Sequence, residues 1–302
     1  NLLGIVILSQ GKCGLSTCTS RYLMAMATAD LFVIIIEVIL WQIKSYYFPV
    51  FFLDLTPVCS VHNVVICVAI NCSVWFTVTF SFDRFIAICF QNLKTKYCTK
   101  KNAAVILSIT CILLCFKNVP FYFAYEPKQV IANVAWFCVL KPDYFIEPGW
   151  VGFDWFDRVL TPLLPYALVL LLNALTVRHI LVTSRARQRL KGQSKGDNYS
   201  DPEMETRRKS VILLFTLSGS FIILWSVYVT DFFYSSIRGT YLSHYNNAEL
   251  VFAMAGLSLA NLNCCINTFV YVATQSKFRE QVKEMMKYPT TLIIQLMNKL
   301  KN

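Results

Sequence analysis

Charge is what this chain has least of. Asp, Glu, Lys and Arg make up 15% of its 302 residues and 56% are hydrophobic, where a soluble domain carries about 25% charged residues. That shortage excludes an ordinary water-soluble globule. No Cys/His set has metal-ligand spacing, so no transition-metal centre is expected. No catalytic triad or phosphate-binding loop occurs, and enzyme activity has no support. No internal repeat of the kind that marks many transporters is visible, and no signal peptide. Acidic residues are fewer than basic ones, and the net charge is +11. A basic balance suits nucleic acid, but here the Lys and Arg sit between apolar runs, which is the membrane pattern. No nucleic-acid partner is expected.

What the chain has instead is apolar runs long enough to cross a bilayer, at about 22–43, 58–89, 103–124, 158–182, 209–234 and 247–273. A shorter run at 1–9 offers about eight apolar residues where a span needs roughly 20. It is expected to be the remaining part of a first helix, with an extracellular tail and its glycosylation sites lying upstream. The Asn-x-Ser/Thr matches in hand are Asn71, within a span, and Asn198, in a connection. The expectation is an all-α membrane protein: a seven-transmembrane bundle over 1–275 in a lipid bilayer, then an amphipathic eighth helix and tail over 276–302. In that tail Phe278, Val282, Met285 and Met286 recur at helical spacing among charges, which suits a helix lying on a leaflet.

Orientation follows from the connections. Segments 9–21, 90–102, 183–209 and 274–302 hold 20 Lys and Arg, and the alternate segments 42–58, 125–158 and 235–247 hold 5. The first set is expected on the cytoplasmic side, which puts the N-terminus outside and the C-terminus inside a plasma membrane. The polar middle of 183–209 has no apolar periodicity and reads as a linker. Topology also sorts the twelve cysteines. Most fall within spans or on the reducing side, and only Cys59 and Cys138 share the oxidising side, where two cysteines pair in one way.

One costly feature stands at the end of the third run. In Ser81–Phe90, SFDRFIAICF, the adjacent Asp83 and Arg84 close a long apolar stretch, and charge there is a functional hypothesis by default. Asp30, mid-span, must likewise be paired, hydrated or protonated. Asp83-Arg84-Phe85 resembles the D-R-Y motif of the rhodopsin-like G-protein-coupled receptors. Other landmarks fall in that family's order: Asn1, Ala27-Thr28-Ala29-Asp30-Leu31, Cys59 with Cys138, Pro165, Phe221 with Trp225, Asn267-Thr-Phe-Val-Tyr271, and Phe278-Arg279.

The resemblance implies roles. Asp83 would hold Arg84 at rest, and Arg84 would be freed to meet a heterotrimeric G protein and Tyr271. Phe85 and Asn267 belong to the same coupling set. Phe221 and Trp225 would form an aromatic switch with Val74 and Pro165. Asp30, Ser73, Asn263 and Asn267 would gather around an allosteric sodium ion, or around water alone. The chain departs from the family at Val227 and Thr268, where helix-kinking prolines usually stand, at Asn173, Gln91 and Arg207, and in having no Trp in its fourth span. These losses keep an inactive or decoy receptor in view. An olfactory-type chemosensory receptor is the other alternative, although its M-A-Y-D-R-Y motif is absent.

The ligand pocket is defined first by absences. No Lys occurs between Asn246 and Ala273, so no retinal Schiff base can form on the last span. The third-span position where amine receptors place an Asp is Ile66. Candidate pocket residues are then Glu37, His62, Asn63, Ile66, Arg158, Tyr228, Asp231 and Asn261, with Asp157 beside them. Mixed charge among many aromatics suits a small-molecule or peptide ligand, peptide or amino-acid-like in character. Ser73-Val-Trp-Phe-Thr-Val, Leu172-Asn-Ala and Ile266-Asn-Thr-Phe-Val-Tyr are most similar to the orphan G-protein-coupled receptors 139 and 142, a group linked to aromatic amino acids and peptides.

Overall fold

A computed structural model describes residues 1–48, 50–191, 202–238 and 245–287, with the side chains of 186–191 and 202–207 excepted. The linker between the fifth and sixth spans with Asn198, the side chain of Arg207, and the tail beyond Lys287 lie outside the described residues.

Among the described residues, six helices are long and apolar enough to cross a membrane: Thr17–Tyr47 (α2), Thr56–Cys89 (α3), Lys100–Ala124 (α4), Pro148–Arg185 (α5), Arg208–Arg238 (α6) and Asn247–Thr274 (α7). Each contains one of the apolar runs and overshoots it, because a helix has no reason to stop at the membrane edge while its backbone bonds continue. With the short α1 (Leu2–Ser9) they form the expected seven-helix bundle. An eighth helix, α8, spans 276–287.

Local sequence explains how the helices begin and bend. Ser16 caps α2 by accepting from the Thr19 N–H, and Asn246 opens α7 with a capping box closed by Glu249; each satisfies backbone donors that a helix start leaves open. In α5, Pro162 lies within a π-helical turn, Val159–Leu163. Proline removes a donor and crowds the preceding turn, so the helix widens there. α2 carries a longer π-helical stretch, Ile34–Ile43. The Gln42 side-chain amide donates to Glu37 at 3.2 Å, five residues back, the spacing that π winding brings together.

Between α4 and α5 the chain forms a feature the apolar runs do not announce, a β-hairpin. β1 (Tyr125–Ile131) pairs antiparallel with β2 (Val134–Leu140). The two-residue turn puts Ala132 and Asn133 at φ 50° and 62°, the left-handed pair of a type I′ hairpin. Cys59 at the start of α3 is disulfide-bonded to Cys138 of β2, with Cα atoms 6.0 Å apart. The Thr56 hydroxyl adds a bond to the Phe137 carbonyl at 2.7 Å. The hairpin is thereby fixed over one end of the bundle.

The opposite end holds the largest core cluster, with Tyr22, Leu23, Phe80, Leu213, Tyr271 and Phe278 among its buried members. α8 docks through Phe278, whose ring meets Tyr271 edge-on at 5.7 Å. Val282 and Met285 pack against the same cluster, but Met286 is 69% exposed. Neighbouring residues point about 100° apart on a helix, so Met285 and Met286 cannot share one narrow face.

Candidate functional site

Three polar layers lie along the bundle. In the middle, the fully buried Asp30 of α2 is held from two sides. Its Oδ1 accepts from the Ser73 hydroxyl of α3 at 2.5 Å, and its Oδ2 accepts from the Asn267 amide of α7 at 2.7 Å. One carboxylate thus ties three helices. Asn263 is 3% exposed, yet it makes no bond to this group, and its Oδ1 has no hydrogen-bond partner among the described residues. The structure therefore brings Asp30, Ser73 and Asn267 together and leaves Asn263 buried outside their bonds. Asn1 supports the site from α1: its amide donates to the Cys264 carbonyl at 2.7 Å, and its Oδ1 accepts from Thr268 at 3.4 Å.

Above this layer, towards the hairpin, Phe221 and Trp225 of α6 lie 5.5 Å apart with rings 31° from parallel. They pack with Val74 of α3 and Val169 of α5; Pro165 is buried one turn before Val169. The Trp225 indole N–H has no acceptor among the described residues. A cavity of about 50 Å³ separates the aromatic and polar layers, and Ser73, Trp225, Asn261 and Cys264 border it.

A larger cavity, about 450 Å³, opens at the hairpin end between α3, α5, α6 and α7. Of the expected pocket residues, Arg158, Tyr228 and Asp231 line it, as does Asp157. The remaining candidates do not line it. Glu37 is occupied with Gln42, and His62 stacks on Trp41 at 5.4 Å. Asn63 donates to the Cys59 carbonyl at 3.0 Å, next to the disulfide. Asn261 borders the deeper cavity instead. Ile66 gives way to its neighbour Cys67, the α3 residue that faces in.

One wall contains an ion pair between two helices that no single run of sequence discloses. Lys117 of α4 pairs with Asp157 of α5 and also donates to Thr161 at 3.2 Å. Asn118, next to it, accepts from Asn71 of α3 at 3.1 Å. A lone Lys within an apolar run was the available signal for this network. Arg158 pairs with Asp154 at 2.6 Å, and Lys44 pairs with Asp54.

At the end opposite the hairpin, Arg84 pairs with Asp83, Nε to Oδ2 at 3.0 Å, and its Nη1 reaches the Ser210 hydroxyl of α6 at 3.2 Å. The other oxygen of Asp83, Oδ1, accepts from the Cys18 thiol of α2 at 3.1 Å. Cys98 also touches Asp83, its thiol 3.7 Å from the backbone carbonyl. Burial, reinforced by the Asp83 charge, pushes the Cys98 pKa up to about 12, so this thiol stays protonated and able to donate. Arg84 lies at the edge of a crevice of about 420 Å³ that Gln91, Lys94, Lys209, Ser210 and Lys277 also border. Phe85 turns away and meets Phe90 edge-on at 5.6 Å. Tyr271 is fully buried against Phe278, with its hydroxyl unpartnered among the described residues.

A family model described as the seven transmembrane receptor (rhodopsin family) matches residues 1–271.

Proposed function

Because the chain belongs to the rhodopsin family of seven-transmembrane receptors, a family of receptors and not of enzymes, we propose that it couples an extracellular ligand to a heterotrimeric G protein. The ligand class we assign is peptide or amino-acid-like. The hairpin end faces outside and the α8 end faces the cytoplasm of the plasma membrane; the imbalance of basic residues and the disulfide at the hairpin end support this orientation.

One observation carries the coupling reading. Arg84 is only 7% exposed, yet it borders a crevice rimmed by basic residues and bridges α3 to α6 through Ser210. Outward movement of α6 breaks that bridge and opens the crevice to a G-protein segment. A ligand that favours the open arrangement shifts the equilibrium by its differential affinity for the two states. Asn173 and Ser218, joined at 3.0 Å between α5 and α6, hold the closed one. Replacing Arg84 with Ala should abolish G-protein activation and leave surface expression intact. Wild-type signalling by that variant would end the coupling reading. A wild-type protein silent towards every G protein would favour the decoy reading, in keeping with Val227 and Thr268 in unbroken helices.

We assign the polar core to a sodium ion held by Asp30, Ser73, Asn263 and Asn267. All four supply oxygen, the hard donor that suits this cation, and the unpartnered Oδ1 of Asn263 supports a missing cationic partner. A bound ion would supply positive charge against Asp30; the chain's own residues clamp α2, α3 and α7 together. Sodium should raise the melting temperature of wild type and leave an Asp30→Asn variant unmoved. An equal response of both would leave a hydrated network.

A further inference from the structure

The hairpin-end cavity has an uneven charge ledger. Three carboxylates border it, those of Asp154, Asp157 and Asp231. Two are already matched: Asp154 by Arg158, and Asp157 by Lys117. Asp231 of α6 has no ion-pair partner among the described residues. Its Oδ1 accepts only from the Tyr245 hydroxyl, at 3.3 Å. The Arg158 charge also reaches this half-buried carboxylate, but that guanidinium is already paired with Asp154, so the three carboxylates share two cations and a third has room to enter from the cavity.

The surroundings narrow the class of that cation. Tyr228, Phe232 and Tyr245 line the same cavity, and Trp225 meets Tyr228 edge-on at 5.6 Å, which connects this wall to the aromatic layer below. Aromatic faces favour a cation beside them and an apolar body against them. About 450 Å³ falls within the range of small-ligand sites. The third helix offers no competing anchor, because it presents Cys67 to the cavity where an acid would be needed.

We propose that the ligand is a protonated amine carrying an aromatic or apolar group, with its ammonium seated on Asp231 of α6. This rests on the receptor reading for its site and adds the charge and the anchor. An amine on α6 also explains how binding could act on the moving helix directly: the ligand joins α6 to the walls of α3 and α5, two turns outward of Trp225. The same chemistry is supplied by a free arylalkylamine or by a peptide with an aromatic N-terminal residue.

The test uses the full chain purified in detergent, and reads binding by thermal shift and by calorimetry. L-phenylalaninamide supplies the free amine, and Phe-Ala-Ala-amide supplies the same group as a peptide N-terminus. N-acetyl-L-phenylalaninamide is the neutral control, and N-acetyl-L-phenylalanine the anionic one. At least one ammonium probe should bind, and more tightly than both controls. Asp231→Asn should weaken it about tenfold or more, the usual worth of a charged hydrogen bond, while Asp231→Glu should retain it. The tighter of the two ammonium probes identifies the source. Equal binding by Asp231→Asn, tighter binding of the anionic control, or no binding by either ammonium probe would each overturn the proposal. A second measurement keeps the result clear of misfolding: Cys67 lines the cavity, so a cationic methanethiosulfonate should label it faster than an anionic one. Asp157 also acts on that thiol, so Asp231→Asn should reduce that preference, and a preference unchanged by the substitution counts against Asp231. G-protein activation is read separately, so the loss of this proposal and the loss of the receptor reading cannot be confused.

Discussion

At the α8 end, buried residues from seven of the eight helices join one cluster, running from Ile7 and Tyr22 through Phe80 and Leu213 to Tyr271 and Phe278. At the hairpin end the buried apolar residues fall into separate groups, Val74 with Phe221 and Trp225 in one, Phe121 with Ala124 and Tyr144 in another. A cavity of about 450 Å³ opens beside them. The charges divide the same way. Towards the hairpin, Lys117–Asp157 at the cavity wall and Lys44–Asp54 beyond it join separate segments, so they brace that end. At the other end Asp83 and Arg84 are sequence neighbours on one helix, and Arg84 can leave its partner without parting two helices. On the receptor function proposed above, the open half holds the ligand and the dense half passes on a displacement, since packed interiors shift between discrete arrangements instead of deforming smoothly.

The strongest way to break this comparison is to remove the brace that closes the open half. The Cys59–Cys138 bond spans a sequence separation of 79 residues, and loops of that length correspond to about 4 kcal/mol. Cys138→Ser should therefore lower both the melting temperature and surface expression. It should also abolish ammonium-probe binding. A melting temperature equal to wild type would mean that the hairpin end does not depend on its covalent tie.

Matched truncations sharpen the packing contrast. Phe80 is fully buried within the continuous cluster, and Phe80→Ala should cost about 3–5 kcal/mol. Phe121 borders the cavity and packs edge-on against Phe153 at 5.0 Å. Part of its ring already faces empty space, so fewer contacts are lost and Phe121→Ala should cost about half as much. Chemical or thermal unfolding of the two variants side by side measures the difference. Equal losses would show the halves to be packed alike.

Much of this division is legible in the residues, and the boundary of legibility is physical. Spans are legible because a membrane needs about 20 apolar residues in a row. Asp30, Ser73 and Asn267 are legible because polar groups in such runs must find one another. Asn263 shares a helix face with Asn267, yet whether it reaches Asp30 depends on the approach of α2, which its own helix does not encode. The hairpin escaped because its turn, Ala132-Asn133, lacks the Gly that usually marks such a turn, and because its register is held by a disulfide to a remote helix. The cavity wall was half legible: Arg158, Tyr228 and Asp231 face in, but Glu37 is occupied with Gln42 instead. Lys117 and Asp157 are each visible as charges, and nothing local says that they meet.

The smallest effect expected here tests the dense half at its switch. The two oxygens of Asp83 are divided between Arg84 and the Cys18 thiol, so α2 helps to aim the carboxylate that restrains Arg84. Cys18→Ala removes a donor from a buried, charged acceptor. That loosens the resting arrangement by about 1 kcal/mol, which corresponds to about a fivefold rise in the active fraction. Basal nucleotide exchange on a G protein in membranes should rise by that factor. Cys18→Ser keeps a donor of similar size and should hold basal exchange at or below wild type. The pair of variants separates a hydrogen bond from mere packing, because a packing defect would raise both. If alanine and serine behave alike, Cys18 is filler between α2 and α3, and Asp83 is aimed by its own helix alone.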